Sequence, residues 1–257
     1  MVNILVLGGH GKIALQITRL LAASSHTVTS VIRDASQIPD IKATAPPSNP
    51  DLVKPLVSSL EETPHETILK QLEGIDWVVW SAGAGGKGGA ERTIAVDQEA
   101  AKKYIAASIA APSVSKFLTV SASVARHSPA PYWNEDDVAT FKGGWKAIPV
   151  YCEAKLKADE FLYDESRKLE SSGGKNVGWE DIHLRPGALS DNPATGKVDL
   201  GRARARGSVT RNDVADVAVR LLQKGGAGGL WIDLVNGEEL VQEAVDRVVR
   251  DKVTSRT

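Results

Sequence analysis

Cysteine is almost missing: Cys152 is the one thiol in 257 residues. That excludes an internal disulfide framework and suits a reducing compartment. Net charge is nearly missing too, since 31 Lys and Arg stand against 32 Asp and Glu for a formal −1. No global field therefore draws the chain to nucleic acid or to an anionic membrane. No apolar stretch approaches the ~18 residues that a membrane helix needs, and no charged-then-apolar leader precedes the first short apolar run. The expectation is a cytoplasmic protein without a membrane or nucleic-acid partner. Five histidines, at positions 10, 26, 65, 127 and 183, show no metal-ligand spacing, so no metal is expected. Cys152 has no histidine near it in sequence to activate it as a nucleophile.

What the chain does have begins at its first residues. An apolar run over 2–7 breaks into Gly8-Gly9-His10-Gly11 and resumes at helical spacing with Ile13, Ile17, Leu20 and Leu21. A buried strand, a tight turn and an amphipathic helix follow from that change of period. The glycines release the backbone and let a phosphate approach the helix N-terminus, whose free N–H groups and positive dipole end attract an anion. Gly8, Gly11, Lys12 and Ile13 are accordingly expected to hold a dinucleotide pyrophosphate.

Strand-like and helix-like segments then alternate, as in parallel βαβ units. Strands are expected over 2–7, 27–32, 52–57, 76–81, 116–121 and 180–185, and helices over 12–23, 65–73, 91–110 and 151–171. Four prolines make 34–50 an irregular crossover. Prolines, glycines, Trp133 and Trp145 make 124–149 a long loop at the substrate mouth, its tryptophans serving as pocket walls. Short β pieces over 196–200 and 206–210, a helix over 212–224, a strand over 230–235 and a helix over 237–251 complete the chain. One domain over 1–257 is expected, with a substrate lobe built mainly from 124–149 and 187–257. Arg202, Arg204 and Arg206 alternate as on a solvated strand edge.

The residue ending the second strand chooses the cofactor. Arginine can grip the 2′-phosphate of NADP, whereas a carboxylate bonds the free 2′-hydroxyl of NAD. Arg33 stands there and favours NADP; the adjacent Asp34 would favour NAD if it faced the ribose instead. The fourth strand runs into Ser81-Ala82-Gly83, small residues against which a nucleotide can lie, and Gly85 to Gly89 are expected to form a mobile tip.

Tyr151 and Lys155 stand four apart, on one helix face. A nearby ammonium stabilises phenolate, which lets tyrosine exchange a proton with a carbonyl or alcohol, and the lysine is expected to bond the nicotinamide ribose as well. Ser121 and Ser123 end the fifth strand pointing the same way, so either hydroxyl can orient a substrate oxygen beside Tyr151. Arg185-Pro186-Gly187 ends the sixth strand and bends over the nicotinamide site, which brings Pro186 to the cofactor. Thr210 or Asn212 is expected to cap the following helix.

Together these residues resemble the short-chain dehydrogenase/reductase superfamily. The G-x-x-G-x-x-A loop is similar to its atypical branch rather than to the classical G-x-x-x-G-x-G form. His183 to Leu189, Thr195 to Val198 and Gly207 to Ala215 are similar to the L-R-P-G-x-L … G-x-[IV]-x-R-x-D-V-A series of atypical NAD(P)H-binding proteins. That group includes NmrA-like, flavin-reductase-like and biliverdin-reductase-like members, and the resemblance spans roughly 2–235. It implies an α/β fold of Rossmann type, a doubly wound parallel sheet with helices on both faces and a small C-terminal substrate lobe. It also implies NADP as cofactor, preferred over NADH. The aspartate that the pattern usually carries after the third strand is replaced here by Ser58-Ser59, which leaves adenine contact there open. Many atypical members lack the Tyr/Lys pair. Its presence here favours an oxidoreductase passing hydride to a carbonyl, flavin or quinone-like acceptor, as a monomer or homodimer; the alternative is a non-catalytic NADP-binding redox sensor.

Overall fold

The computed structural model describes residues 1–85, 88–171 and 178–257. Its centre is a nine-stranded sheet built from β1 (Asn3–Leu7), β2 (Thr27–Ile32), β3 (Val53–Val57), β4 (Trp77–Trp80), β5 (Lys116–Val120), β6 (Glu180–Pro186), β8 (Lys197–Gly201), β10 (Leu230–Asn236) and β11 (Glu239–Leu240). The order is β3-β2-β1-β4-β5-β6-β10-β8-β11, parallel from β3 to β10, with β8 antiparallel to β10. Because the chain winds outward in both directions from β1, a crevice opens between β1 and β4 at their carboxyl ends, where such sheets bind ligands. This is the doubly wound α/β sheet implied by the sequence.

β1 shows why both faces must be covered. Ile4 and Val6 pack with α1 (Lys12–Ala23), α8 (Arg211–Lys224) and α9 (Val241–Arg250), while Leu5 and Leu7 turn to the other core. That second core is closed by α3 (His65–Gln71), α5 (Ala101–Ala110) and α7 (Pro149–Ser171). All four residues are fully buried, each contributing about 1.5–3 kcal/mol. A continuous apolar run is the pattern of a strand buried on both sides.

Several expectations need correcting. The crossover 34–50 holds a short helix, α2 (Ile38–Lys42), whose Pro39 sits in its first turn where no donor is lost. The 91–110 segment is not one uniform helix: α4 (Gly89–Thr93) passes through a π-helical stretch, Ile94–Ala100, before α5. Residues 124–149 are not a long loop. They contain α6 (Glu135–Ala147), started by a reciprocal capping box between Asn134 and Asp137. β7 (Ala188–Ser190) was not foreseen; it pairs with β9 (Ser208–Thr210) in a separate two-stranded sheet. The alternating arginines lie between β8 and β9 rather than on a strand, with Ala203 and Ala205 buried between them. Thr210, not Asn212, caps α8. Of the expected glycine tip, Gly86 and Lys87 lie outside the described residues.

Gly8 closes the β1 turn with φ +82°, and a Cβ there would fall 2.6 Å from the Ala82 Cα. Both backbone hand and space therefore require glycine. Gly8→Ala is expected to lower stability by about 2–5 kcal/mol, the sum of left-handed strain and overpacking, read as a fall in the urea midpoint at unchanged m-value.

Candidate functional site

Two clefts meet at the carboxyl ends of the central strands. The smaller, about 250 Å³, is lined by Gly8 and Gly11 from the β1 turn, Arg33 after β2, Ser58 and Ser59 after β3, and Ser81, Ala82 and Gly83 after β4. No side chain caps α1, and its first turn carries no acidic residue. Its leading N–H groups therefore remain available to an anion. A glycine-walled cleft beside an uncapped 12-residue helix fits a dinucleotide.

The structure sorts the expected cofactor residues. Gly8, Gly11, Arg33, Ser81, Ala82 and Gly83 line this cleft together. Asp34 does not: its carboxylate accepts from the Ser36 backbone N–H at 2.8 Å and caps a 3-10 turn, which leaves Arg33 at the cleft. Lys12 points elsewhere, its Nζ 2.6 Å from Asp191. The Ile13 side chain packs in the core, so only its backbone belongs to the loop. Ser58 and Ser59, where adenine contact stood open, do line the cleft. Arg92 and His10, unforeseen, line it as well; Arg92 Nε lies 3.5 Å from Glu61. His10 belongs to the glycine turn itself, whereas Arg92 reaches the cleft from the short helix α4, which has no periodicity to point to it.

The second cleft, about 960 Å³, shares Ala84 with the first. Its walls are mainly alanine, glycine, proline and branched aliphatic residues, with Tyr151, Ser121, Ser123 and Asp97 among the polar groups. Pro186 stands here rather than in the smaller cleft, and Gly187 follows it because a Cβ would meet Val235 Cγ1 at 2.9 Å, not because of a positive φ. The tryptophans expected as walls are committed elsewhere. Trp133 is buried and its indole donates to Ala203 O, while that of Trp145 donates to Val124 O. Thr140, Gly143 and Gly144 of α6 form that wall instead.

The two serines separate. Ser121 Oγ donates to Asp159 Oδ2 at 2.6 Å, whereas the buried Ser123 Oγ has no partner. An unpaired hydroxyl buried in a cleft wall is costly unless a ligand satisfies it. Behind Ser121 runs a buried polar layer between α7 and the sheet. Asp159 also accepts from Arg185, which bonds Asp233, which in turn accepts from Arg126 at 2.5 Å. His183 lies 3.2 Å from Asp181 and 3.8 Å from Asp159. Alternation explains the layer: Asp181, His183 and Arg185 occupy one face of β6. Burial pushes the Asp233 carboxyl up, against the opposing pull of Arg126 and Arg185. For Asp159 burial also acts upward, but His183, Arg185 and Ser121 outweigh it and the carboxyl is lowered.

Lys155 is held within the chain from several sides. Its Nζ lies 3.1 Å from Asp97 Oδ1 and donates to Ala82 O at 3.3 Å and Val120 O at 3.4 Å. An ammonium has three N–H groups; two donate to these carbonyls, and Asp97 pairs with the charge. The lysine thus bolts together the ends of β4 and β5 and the π-helical stretch. It remains beneath Tyr151, with Nζ 5.9 Å from the ring centre. Burial raises the Tyr151 phenol; Lys155 pulls it down and Asp97 pushes it up again. Asp97 was missed, although an acidic residue among Val96, Ala100, Ala101 and Tyr104, all buried, is a signal the sequence does carry.

Residues 8–225 match the family described as NAD(P)H-binding. The chain belongs to this family. A UPF0659 protein of Schizosaccharomyces pombe is 32% identical over 246 residues, 93% of this chain and 92% of the relative. The Bacillus subtilis protein YhfK, named an uncharacterized sugar epimerase, is 27% identical over 96% of this chain and its own full length. Among solved structures, a Bacillus halodurans protein described as a candidate NAD-dependent epimerase/dehydratase superposes with a TM-score of 0.75 at 25% identity, covering 96% of this chain and 100% of its own. Among the described residues no helix is long and apolar enough to cross a membrane, and no group of three or more candidate ligands could hold a metal ion.

Proposed function

We propose that this chain is an NADP-dependent oxidoreductase of the atypical short-chain type, acting on a bulky, largely apolar carbonyl, flavin or quinone-like acceptor. The observation that carries the reading is one cleft wall holding both the Tyr151 phenol and the unpartnered Ser123 hydroxyl, beside the nucleotide cleft. NADPH would supply a hydride. The glycine turn would hold its pyrophosphate, Arg33 its 2′-phosphate, and Ser58 and Ser59 its adenine side. Ser123 would orient the acceptor oxygen and Tyr151 would give it a proton. The lobe from 124–149 and 187–257 would serve as the substrate wall, since Val124, α6, Gly187 and β7 all supply it. A mostly apolar lining suits a planar acceptor better than a sugar, whose many hydroxyls need as many polar partners.

Arg33→Ala should weaken NADPH binding about 10- to 100-fold, the worth of charge-assisted bonds to a phosphate, and leave NADH binding unchanged. Fluorescence titration with both nucleotides decides it; equal loss for both, or no loss, sinks the NADP assignment. A screen of NADPH oxidation against flavins, quinones, aldehydes and ketones then tests turnover. Tight nucleotide binding with no acceptor turned over would favour the redox-sensor reading.

A further inference from the structure

A tyrosine above a lysine ammonium is ordinarily an activated base, because the positive charge favours phenolate. Here that charge is answered from the other side. Asp97 is 1% exposed, and its Oδ1 lies 3.1 Å from Lys155 Nζ, while its Oδ2 accepts from the Ala84 backbone N–H at 2.9 Å. The carboxylate is carried there by a seven-residue π-helical stretch, Ile94–Ala100, a rare conformation that concentrates at functional sites. With two of the ammonium's N–H groups on Ala82 O and Val120 O and its charge paired with Asp97, a buried, neutral Asp97–Lys155 unit sits below the phenol where a net positive charge was expected.

We propose that Asp97 cancels the Lys155 charge and thereby keeps Tyr151 a proton donor, committing the site to reduction of its acceptor rather than oxidation of an alcohol. The direction assigned to the reaction rests on the oxidoreductase reading above. In that direction the acceptor carbon receives hydride from NADPH, and the acceptor oxygen takes the Tyr151 proton. The O–H electron pair stays on the phenolate, which regains a proton from solvent. Oxidation needs the reverse, a phenolate ready before the alcohol arrives, and a neutral unit below the ring does not supply it.

The charges and hydroxyls around Tyr151 leave the balance as stated. Lys155, Cys152 and Asp159 share α7, and Asp97 approaches from the π stretch. Ser121 and Ser123 approach from the end of β5, and Arg211 stands on the lining of the cleft. Asp159 is held by Arg185 and Ser121, and Arg211 by Asp191 at 2.8 Å. Asp97 acts through Lys155 and is a positioning residue, so its effect must appear in the titration of Tyr151 itself.

The test follows the tyrosine Cζ resonances of ¹³Cζ-tyrosine-labelled protein against pH, with Tyr151→Phe assigning the signal among the four tyrosines. Asp97→Asn keeps an acceptor for Ala84 and removes the charge; Tyr151 should then ionise at least about one pH unit lower than in the wild type, the effect of an uncancelled cation nearby. Asp97→Glu should restore the wild-type titration. Asp97→Asn combined with Lys155→Met removes the unit as a neutral pair, a replacement buried ion pairs tolerate, and should leave Tyr151 titrating within about half a unit of wild type. An unchanged Tyr151 in Asp97→Asn overturns the proposal, as does a shift of a unit or more in the double variant. Should the single variant fail to fold, the double variant still decides. NADPH titration of the same samples reports on the oxidoreductase reading separately.

Discussion

Arg185→Met should cost about 3–5 kcal/mol, a large part of the stability of a typical domain. The guanidinium is fully buried and contacts Asp159, Asp233 and the Ala125 carbonyl, and it stacks 4.4 Å from the Trp231 ring centre. Methionine fills the volume but leaves two carboxylates buried with one cation fewer. Urea unfolding would read the loss as a lower midpoint, and a variant within about 1 kcal/mol of wild type would show that the layer does not depend on this cation. The sign of the pH dependence follows from Asp159, whose carboxyl is held below its ordinary value. Its contribution is complete above the unfolded value of about 4 and is lost as pH falls through the lower folded value. Arg185→Met should narrow that acid-side loss, since the arginine is one of the groups that lowers Asp159.

Tyr151→Phe should reduce turnover about 10²- to 10⁴-fold, the range for loss of a positioned proton donor, with NADPH affinity unchanged. The phenol lines the larger cleft and not the smaller, glycine-walled one, so on the proposed reading the loss belongs in kcat. Steady-state kinetics on an acceptor found by screening would check it. Full turnover in the variant would remove the proton-transfer role. Ser123→Ala provides the contrast: it should raise KM more than it lowers kcat if the hydroxyl mainly orients the acceptor.

The fold was readable because its strands are buried on both faces and its first turn is forced to be glycine. Residues 2–7 and Gly8 carry that information locally, in period and in backbone hand. What the sequence hid depends on three-dimensional choices between neighbours. Ser121 and Ser123 look equivalent on an extended strand, and only the position of Asp159 on α7 distinguishes them. Arg33 and Asp34 compete for one ribose until a 3-10 turn takes the carboxylate. Trp133 and Trp145 read as pocket walls because the surrounding prolines and glycines outweigh, in the sequence, the Asn134–Asp137 capping box that starts α6. Lys155 was placed on the correct helix face, but its partners come from three other segments, and helical spacing says nothing about them.

The π-helical stretch has a meaning that can be counted along the chain. A helix bonded five residues apart accommodates more chain per turn than one bonded four apart, so the placement of the Asp97 carboxylate is written in the number of residues as much as in their kind. Deleting one residue between Ile94 and Asp97 would restore α-helical phasing and swing the carboxylate about 100° around the axis, away from Lys155. In an alignment of relatives, a single-residue gap at this point would therefore mark the proteins whose lysine charge stands uncancelled.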